Sequence, residues 1–264
     1  MLLIIATNLV FLPLMETLFT GRNIIRLTKV ASTNNYASQL LRSVSVIEGT
    51  LITAFEQTEG RGQREKKWFS EPGKNLTCSV VLRPSFLTID RQYLLNKCIA
   101  SAVCKTINLL LGEEKAKIKW PNDILVGNFK MAGILIENAL SGGHIVSCVA
   151  GIGLNVNQDS FPEDLPNAVS LKMISGVSKE LEDVEAVLCK EIEAGYLKLK
   201  AGNFDQIRNS YDKALWKRGE NVSFTNNDFP ASGEIVGVDD SGMLIMRSNN
   251  KTDLYKHGEI VFVI

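Results

Sequence analysis

A run of four β-type segments separated by turn sequences constrains the fold of this chain more than any other feature. The segments cover residues 117–120, 124–126, 131–138 and 144–155, and Pro-Asn-Asp, Gly-Asn and Ser-Gly-Gly separate them. Tight turns need such residues, because glycine and asparagine tolerate positive φ and proline fixes its own φ. Short connections join antiparallel neighbours, so these segments predict an antiparallel meander.

Further strands and helices flank the meander and set the fold class. β-type patterns cover residues 24–30, 50–56 and 76–83, and helical patterns cover 90–111, about 181–200 and 204–216. Gly112 is expected to end the first of these helices. Ser32 or Thr33 is predicted to cap another helix, whose apolar face contains Ala37, Leu40, Leu41 and Val44. The elements predict an α+β fold, in which a mixed or antiparallel sheet packs against helices.

Five short β-type runs follow and differ from the rest of the chain. They lie at 221–224, 233–238, 243–246, 252–256 and 259–264. Short strands at this density predict a small barrel. We therefore expect a main domain over residues 22–217, an all-β domain over 218–264 and a poorly defined extension over 1–21.

The charge of the chain is balanced, with 29 basic and 29 acidic residues. This balance gives no overall attraction to nucleic acid or to an anionic membrane. About 20 residues precede Arg22, too few for a helix-turn-helix domain. We therefore expect binding to neither nucleic acid nor a membrane.

The cysteines and the first residues favour a cytoplasmic location. The five cysteines are widely spaced and lie mostly in apolar runs, which predicts buried free thiols in a reducing compartment. The apolar stretch 1–19 lacks a positively charged start and a clear cleavage site. Its charge-free part ends at Met15 and is too short to cross a bilayer. A misplaced start codon is one interpretation of residues 1–14.

The segment 60–68, Gly-Arg-Gly-Gln-Arg-Glu-Lys-Lys-Trp, joins two glycines to a cluster of cations. Glycine lets a backbone approach a ligand closely, and arginine and lysine donate hydrogen bonds to phosphate or carboxylate. Residue types alone leave two interpretations, an anion-binding loop or a flexible, solvated loop.

Four further segments combine glycine, amide side chains and isolated cations at strand ends or turns. They are Ser-Thr-Asn-Asn at 32–35, Lys-Trp-Pro-Asn-Asp at 119–123, Lys-Met-Ala-Gly-Ile-Leu-Ile-Glu at 130–137 and Gly-Ile-Gly-Leu-Asn-Val-Asn at 151–157. Together with segment 60–68, they resemble the biotin protein ligases, which carry a GRGRRGRxW-type loop followed by KWPND, KxAGIL and GIGxN motifs. The resemblance extends over nearly the whole chain from about Arg22.

The resemblance implies a class II synthetase-like ligase core followed by an SH3-like barrel. It also implies two-step chemistry with ATP and biotin as substrates and with Mg²⁺. The carboxylate of biotin attacks the α-phosphate of ATP to give biotinyl-5'-AMP, and a lysine of a biotin carboxyl carrier protein then displaces AMP. Cations are needed because the first step brings a carboxylate to a polyphosphate.

The resemblance assigns roles to individual residues and implies no metal site built by the protein itself. The implied catalytic residues are Arg61, Lys130 and Asp123, with Asp123 helping to deprotonate or orient the acceptor lysine. The implied biotin-binding residues are Ser32, Thr33, Asn34, Gln57, Arg61, Gly62, Gln63, Lys130, Gly133, Gly151 and Gly153. The implied ATP- or adenylate-binding residues are Arg64, Lys66, Trp68, Asn122 and Asn155.

Several of these residues also have ordinary structural interpretations. Ser32 fits a helix N-cap, Asp123 a turn and Trp68 a core aromatic, while Gly151 and Gly153 fit a bend in a strand. Residue types alone leave the structural and ligand-binding roles open.

Three loop residues depart from the family pattern. Gln63 and Lys66 stand where arginine is common, and Glu65 stands where glycine is usual. Gln63 keeps hydrogen bonding without charge, and Glu65 adds an anion beside the phosphates. We expect activity to be retained, with altered loop ordering or weaker retention of the adenylate.

Other functions compete with the biotin ligase interpretation. A lipoate ligase shares the fold and the adenylate chemistry, although the Gly-Arg-Gly loop and the Lys-Trp-Pro-Asn-Asp turn favour biotin. A biotin-responsive repressor needs a DNA-binding domain that is not predicted here, while the loop substitutions give a non-catalytic biotin sensor some support. Exposed strand edges leave both a monomer and a homodimer open.

Overall fold

The computed structural model describes residues 16–64, 66–249 and 251–263, so the predictions for residues 1–14 and for Glu65 lie outside the described residues. Within them, a seven-stranded sheet has the order β1-β2-β3-β7-β6-β5-β4. Its strands are β1 (Ile24–Val30), β2 (Leu51–Gln57), β3 (Leu76–Leu82), β4 (Ala116–Lys119), β5 (Asp123–Val126), β6 (Phe129–Ser141) and β7 (His144–Leu154). Strands β1 and β2 are parallel, joined through helix α1 (Thr33–Ser43), and the other neighbours are antiparallel. The predicted mixed sheet with packed helices is confirmed.

The predicted meander is confirmed, because β4 to β7 pair in chain order as antiparallel neighbours. Gly127 has a φ of 61° after β5, and Gly142 and Gly143 have φ values of 56° and 78° after β6. Glycine adopts these left-handed conformations without strain. The pairing places Asp123 opposite Lys119 of β4 and Gly133 of β6. Gly133 also pairs with Gly153 of β7, so three of the motif segments meet at one place in the sheet.

Helices cover both faces of this sheet. Successive side chains of a strand point to opposite faces, and Val80 and Leu82 of β3 join one buried cluster while Val81 joins Ala37 of α1 in another. The remaining helices are α2 (Tyr93–Leu111), α3 (Leu171–Ser175), α4 (Leu181–Lys200) and α5 (Phe204–Ala214), and a 3-10 turn at Ile89–Arg91 precedes α2. The predicted α2, α4 and α5 are confirmed.

Two local predictions were wrong or incomplete. Val44 was placed on the apolar face of α1, but it follows the last helical residue, has an extended backbone and is 54% exposed. Helix α3 was not predicted because five residues are too few to show a helical period.

Helix α2 forms the centre of the core. The span Ile89–Leu111 is long and apolar enough to cross a membrane, but most of its apolar window is buried inside the protein. A buried core helix meets the same criteria of length and composition, so this span is weak evidence for a membrane segment. Gly112 ends α2 at a φ of 74°, as predicted.

A second sheet is antiparallel and has the order β11-β10-β9-β8-β12. Its strands are β8 (Asn221–Asn226), β9 (Phe229–Val238), β10 (Leu244–Ser248), β11 (Lys251–Tyr255) and β12 (Ile260–Phe262). The five short strands are thus confirmed. The domain boundary near residue 217 stays a prediction.

The turn after β9 joins the second sheet to the first. The buried Lys97 of α2 donates from Nζ to the Val238 carbonyl at 2.6 Å and lies 3.7 Å from Asp240 Oδ1. Arg208 of α5 pairs with the same carboxylate. Trp120 Nε1 donates to the Gly242 carbonyl at 2.9 Å. Because Trp120 follows β4, these contacts hold the second sheet against the turn that carries Asp123.

All five cysteines are free and buried, as predicted. Burial raises the pKa of Cys98, Cys104 and Cys189 to about 12. A thiol reacts as its thiolate, so we expect a disulfide reagent such as DTNB to modify none of them in the folded protein at pH 8. After denaturation, five thiols per chain should react. Rapid reaction of a thiol before unfolding would contradict the assigned burial.

Candidate active site

A cavity of about 740 Å³ lies at the junction of the two sheets. All but one of the predicted site residues line it: Ser32, Thr33, Asn34, Gln57, Arg61, Gly62, Gln63, Arg64, Lys66, Trp68, Asn122, Asp123, Lys130, Gly133, Gly151 and Gly153. These residues come from segments as far apart in the chain as Ser32 and Gly153, yet they surround one space. Ligand pockets of drug-sized molecules have volumes of about 300–1,000 Å³, so this cavity fits a ligand of that class.

Asn155 is the exception, because it is 98% buried and does not line the cavity. Its Nδ2 donates to the Val169 carbonyl at 3.1 Å and lies 3.5 Å from the Lys130 carbonyl. Its backbone N–H donates to Met131. The structure therefore places Asn155 behind the wall, where it supports the segment that carries Lys130.

Neutral hydrogen-bonding groups from α1 and β2 form one wall of the cavity. The N–H and Oγ1 of Thr33 both donate to Gln57 Oε1, at 2.8 and 3.1 Å. Gln57 Nε2 has no hydrogen-bond partner among the described residues and can donate to a ligand. Ser32 occupies the N-cap position of α1, but its side chain makes no capping hydrogen bond. Ser32 Oγ and Gln57 Nε2 are therefore the groups on this wall best placed to bind a neutral polar ring.

Asn34 has a supporting position in the same wall. Its Nδ2 donates to Glu137 Oε2 at 2.8 Å and to the Leu135 carbonyl at 3.2 Å, which uses both amide hydrogens. Its Oδ1 accepts from Ser79 Oγ at 2.6 Å. A Cβ on Gly151 would lie 2.1 Å from this oxygen, so the glycine makes room for Asn34. Asn34 lines the cavity, but its amide donors already bond to the protein.

The indole of Trp68 lies against two glycines of the sheet. A Cβ added to Gly153 would lie 2.2 Å from Trp68 Cε2, and one added to Gly133 would lie 3.0 Å from Cζ3. The side chain that approaches the backbone of Gly133 and Gly153 closely is thus the protein's own Trp68. Trp68 Nε1 is buried without a hydrogen-bond partner among the described residues.

Replacing Gly153 by alanine should displace the indole. Overpacking in a filled site costs about 1–3 kcal/mol, so we expect Gly153→Ala to lower the free energy of unfolding by that amount in urea titrations. Gly237→Ala is the matched control, because the nearest atom to its added Cβ lies at 4.0 Å. Equal stability of the two variants would contradict the assigned packing of Trp68.

The loop 60–68 folds back on itself over the cavity. Gly62 N–H donates to the Lys66 carbonyl at 2.7 Å, and Trp68 N–H donates to the Gly60 carbonyl at 2.8 Å. Arg64 has a φ of 57° and donates from Nη2 to the His257 carbonyl at 2.6 Å. The loop therefore contacts the second sheet as well as the first.

Cations line the same cavity. Lys130 Nζ lies 2.6 Å from Asp123 Oδ1 and 5.7 Å from the centre of the Trp68 ring. Arg61 Nη2 lies 3.0 Å from Glu137 Oε1. The backbone of the turn is fixed by Asn122, whose Nδ2 donates to the Ile134 carbonyl at 2.7 Å. Asn122 lines the cavity and also bonds the turn to β6 beside Asp123.

The sequence interpretation missed several lining residues. Lys119 belongs to the Lys-Trp-Pro-Asn-Asp motif, yet no role was predicted for it; burial, with Lys130 and Lys66 nearby, lowers its pKa. His257 and Phe262 come from the second sheet, and burial, with Arg64 and Lys66 nearby, lowers the pKa of His257. Lys119 could have been found from its motif, whereas the tail carries no local signal for a site.

Comparisons with known proteins show what this chain is similar to. The family model for the biotin/lipoate A/B protein ligase family matches residues 27–155. The bifunctional ligase/repressor BirA of Bacillus spizizenii is 31% identical over 237 residues, which cover 89% of this chain and 72% of that protein. The biotin-[acetyl-CoA-carboxylase] ligase of Paracoccus denitrificans is 28% identical over 89% of this chain and 99% of its own length.

The similarity extends to solved structures. A biotin protein ligase from Aquifex aeolicus, in complex with biotin and ATP, matches with a TM-score of 0.76 and 26% identity. The match covers 92% of this chain and 99% of that one. Family model, sequence relatives and fold agree, and the chain belongs to the biotin/lipoate A/B protein ligase family.

Proposed function

We propose that this protein is a biotin protein ligase, which activates biotin with ATP and transfers it to a lysine of a biotin carboxyl carrier protein. The observation that supports this most directly is that neutral hydrogen-bonding groups and cations line one cavity. Ser32 and Gln57 offer the neutral groups, and Arg61, Lys119 and Lys130 offer positive charge. A neutral ring with a carboxylate tail, joined to a polyphosphate, needs this combination.

In the first step, the carboxylate of biotin attacks the α-phosphorus of ATP, and pyrophosphate leaves. The reacting groups are both anionic, so positive charge at the point of attack lowers the barrier. Lys130 has a defined position for this role, because Asp123 holds its ammonium group beside Trp68. Arg61 and the backbone of Gly62 and Gln63 close the loop over the acyl phosphate and shield it from water.

In the second step, the amine of the acceptor lysine attacks the acyl carbon, and AMP leaves. An ordinary lysine has a pKa of about 10.4, so its ammonium group must lose a proton before it can attack. Asp123 lines the cavity, and Lys130 pairs with its Oδ1. Asp123 Oδ2 is therefore available to accept this proton or to orient the amine.

Magnesium enters this proposal with ATP. The described residues contain no group of three or more His, Cys, Asp or Glu side chains that could hold a metal ion. Mg²⁺ commonly uses one or two protein carboxylates in addition to substrate phosphates and water. In the described part of the chain, the carboxylates that line the cavity are those of Asp123 and Asp164, and these would contact the ion there.

The test is biotinylation of an acceptor. The protein should transfer biotin, in the presence of ATP and Mg²⁺, to a purified carrier domain of acetyl-CoA carboxylase, and a streptavidin blot detects the product. Lipoate in place of biotin should give no modified acceptor, whereas a lipoate-type ligase would attach lipoate to its acceptor. Binding of biotin without transfer would instead support a sensor. Analytical ultracentrifugation and cell fractionation test the homodimer and the cytoplasmic location, which both stay predictions.

A further inference from the structure

Glu137 of β6 contacts two separate parts of the candidate site. Its Oε1 accepts from Arg61 Nη2 at 3.0 Å, and its Oε2 accepts from Asn34 Nδ2 at 2.8 Å. Arg61 Nη1 lies 3.4 Å from Oε2 and also donates to Asn35 Oδ1. One carboxylate therefore joins the loop 60–68 to the wall formed by α1.

The positions of these side chains show how the contact operates. Arg61 and Asn34 line the cavity, whereas Glu137 and Asn35 do not. Glu137 therefore contacts the Arg61 guanidinium from outside the cavity lining. A guanidinium carries five N–H donors in a rigid plane, so the donors that do not face Glu137 and Asn35 remain for a ligand.

We propose that Glu137 is a positioning residue for the ligase reaction, an inference that rests on the function proposed above. Its negative charge keeps Arg61, and with it the loop, in place over the bound adenylate. Its second oxygen fixes Asn34, which packs against Gly151 in the wall of the cavity. Loss of the charge should weaken retention of the adenylate more than it slows chemistry on a saturated enzyme.

Glu137→Gln is the most direct variant, because glutamine keeps the shape and an acceptor for Asn34 but removes the charge. We expect bound biotinyl-AMP to dissociate about five to ten times faster. A hydrogen bond between two charged groups is stronger than one to a neutral amide, and the partial exposure of this pair reduces the difference. The KM for biotin should rise by a similar factor, while kcat changes less than about twofold. Arg61→Lys keeps the charge but loses the two-point contact with Glu137, so it should also speed the loss of biotinyl-AMP.

Glu234→Gln is the matched control. Glu234 pairs with Arg247 at 3.3 Å with similar exposure, in the second sheet and away from the cavity. This variant should retain the adenylate as the unsubstituted protein does. In an Arg61→Ala background, Glu137→Gln should add almost nothing, because the partner through which it acts is absent.

Three results would overturn the proposal. Unchanged or slower loss of biotinyl-AMP from Glu137→Gln would show that its charge does not hold the loop. A full additional effect in the Arg61→Ala background would assign Glu137 a merely structural role. If the unsubstituted protein forms no biotinyl-AMP, the proposed function itself fails and this inference fails with it, whereas an active protein insensitive to Glu137→Gln rejects the inference alone.

Discussion

Lys130→Gln should nearly abolish formation of biotinyl-5'-AMP. Loss of one group that stabilises developing charge in a transition state costs about 100- to 1000-fold in rate. Lys130 is the cation held beside Asp123 and the Trp68 ring, so no other described side chain has the same position in the cavity. Single-turnover release of pyrophosphate measures this step without interference from transfer.

The fold should survive this substitution. The Lys130–Asp123 pair is partly exposed, with 37% and 25% of the two side chains accessible, so we expect a loss of at most about 1 kcal/mol in stability. Lys172→Gln is the matched control, because Lys172 pairs with Asp159 at 2.7 Å outside the cavity. Adenylation by Lys130→Gln at the rate of this control would contradict the role of Lys130.

Asp123→Asn should impair the second step far more than the first. A positioned general acid or base contributes about 100- to 10,000-fold, so transfer to the acceptor should slow by at least about 100-fold near pH 7. Formation of biotinyl-AMP should fall less than about tenfold, since asparagine still offers Lys130 an oxygen. Mixing preformed enzyme-bound adenylate with the acceptor domain measures transfer separately.

The pH dependence of this variant gives a further check. Without Asp123, solvent must remove the proton from the acceptor lysine, whose pKa is about 10.4. Transfer by Asp123→Asn should therefore rise about tenfold per pH unit between pH 7 and pH 9, because the fraction of neutral amine rises by that factor. Asp159→Asn should leave both steps unchanged. Equal losses in the two steps, without recovery at high pH, would assign Asp123 only to the placement of Lys130.

The order of strands was predictable where local sequence dictates it. Glycines between short β-type runs fix the turns of the meander, and Gly112 fixes the end of α2. These features depend on the backbone conformation of one or two residues, so they are visible in sequence. Helix α3 was missed because five residues are too few to show a helical period, and Val44 was placed wrongly because residue types alone do not mark the last residue of α1.

The candidate site was predictable to the extent that its motifs are continuous in sequence. Loop 60–68, the turn that carries Asp123 and the glycines of β7 all line the cavity. Contacts between distant segments were not predictable from residue types. The docking of His257 and Phe262 at the cavity depends on Lys97, Arg208 and Asp240 holding the second sheet in place. The engagement of Asn34 by Glu137 likewise needs α1 and β6 to be adjacent in space.

Direct detection of biotinyl-5'-AMP tests the central claim most simply. The purified protein is mixed with biotin, ATP and Mg²⁺ without an acceptor, quenched, and examined by mass spectrometry for the adenylate and for pyrophosphate. We predict that biotinyl-AMP and pyrophosphate form in equal amounts, and that a carrier domain added afterwards consumes the adenylate with release of AMP. Biotin bound with ATP left intact, or lipoyl-AMP formed in preference to biotinyl-AMP, would contradict the account.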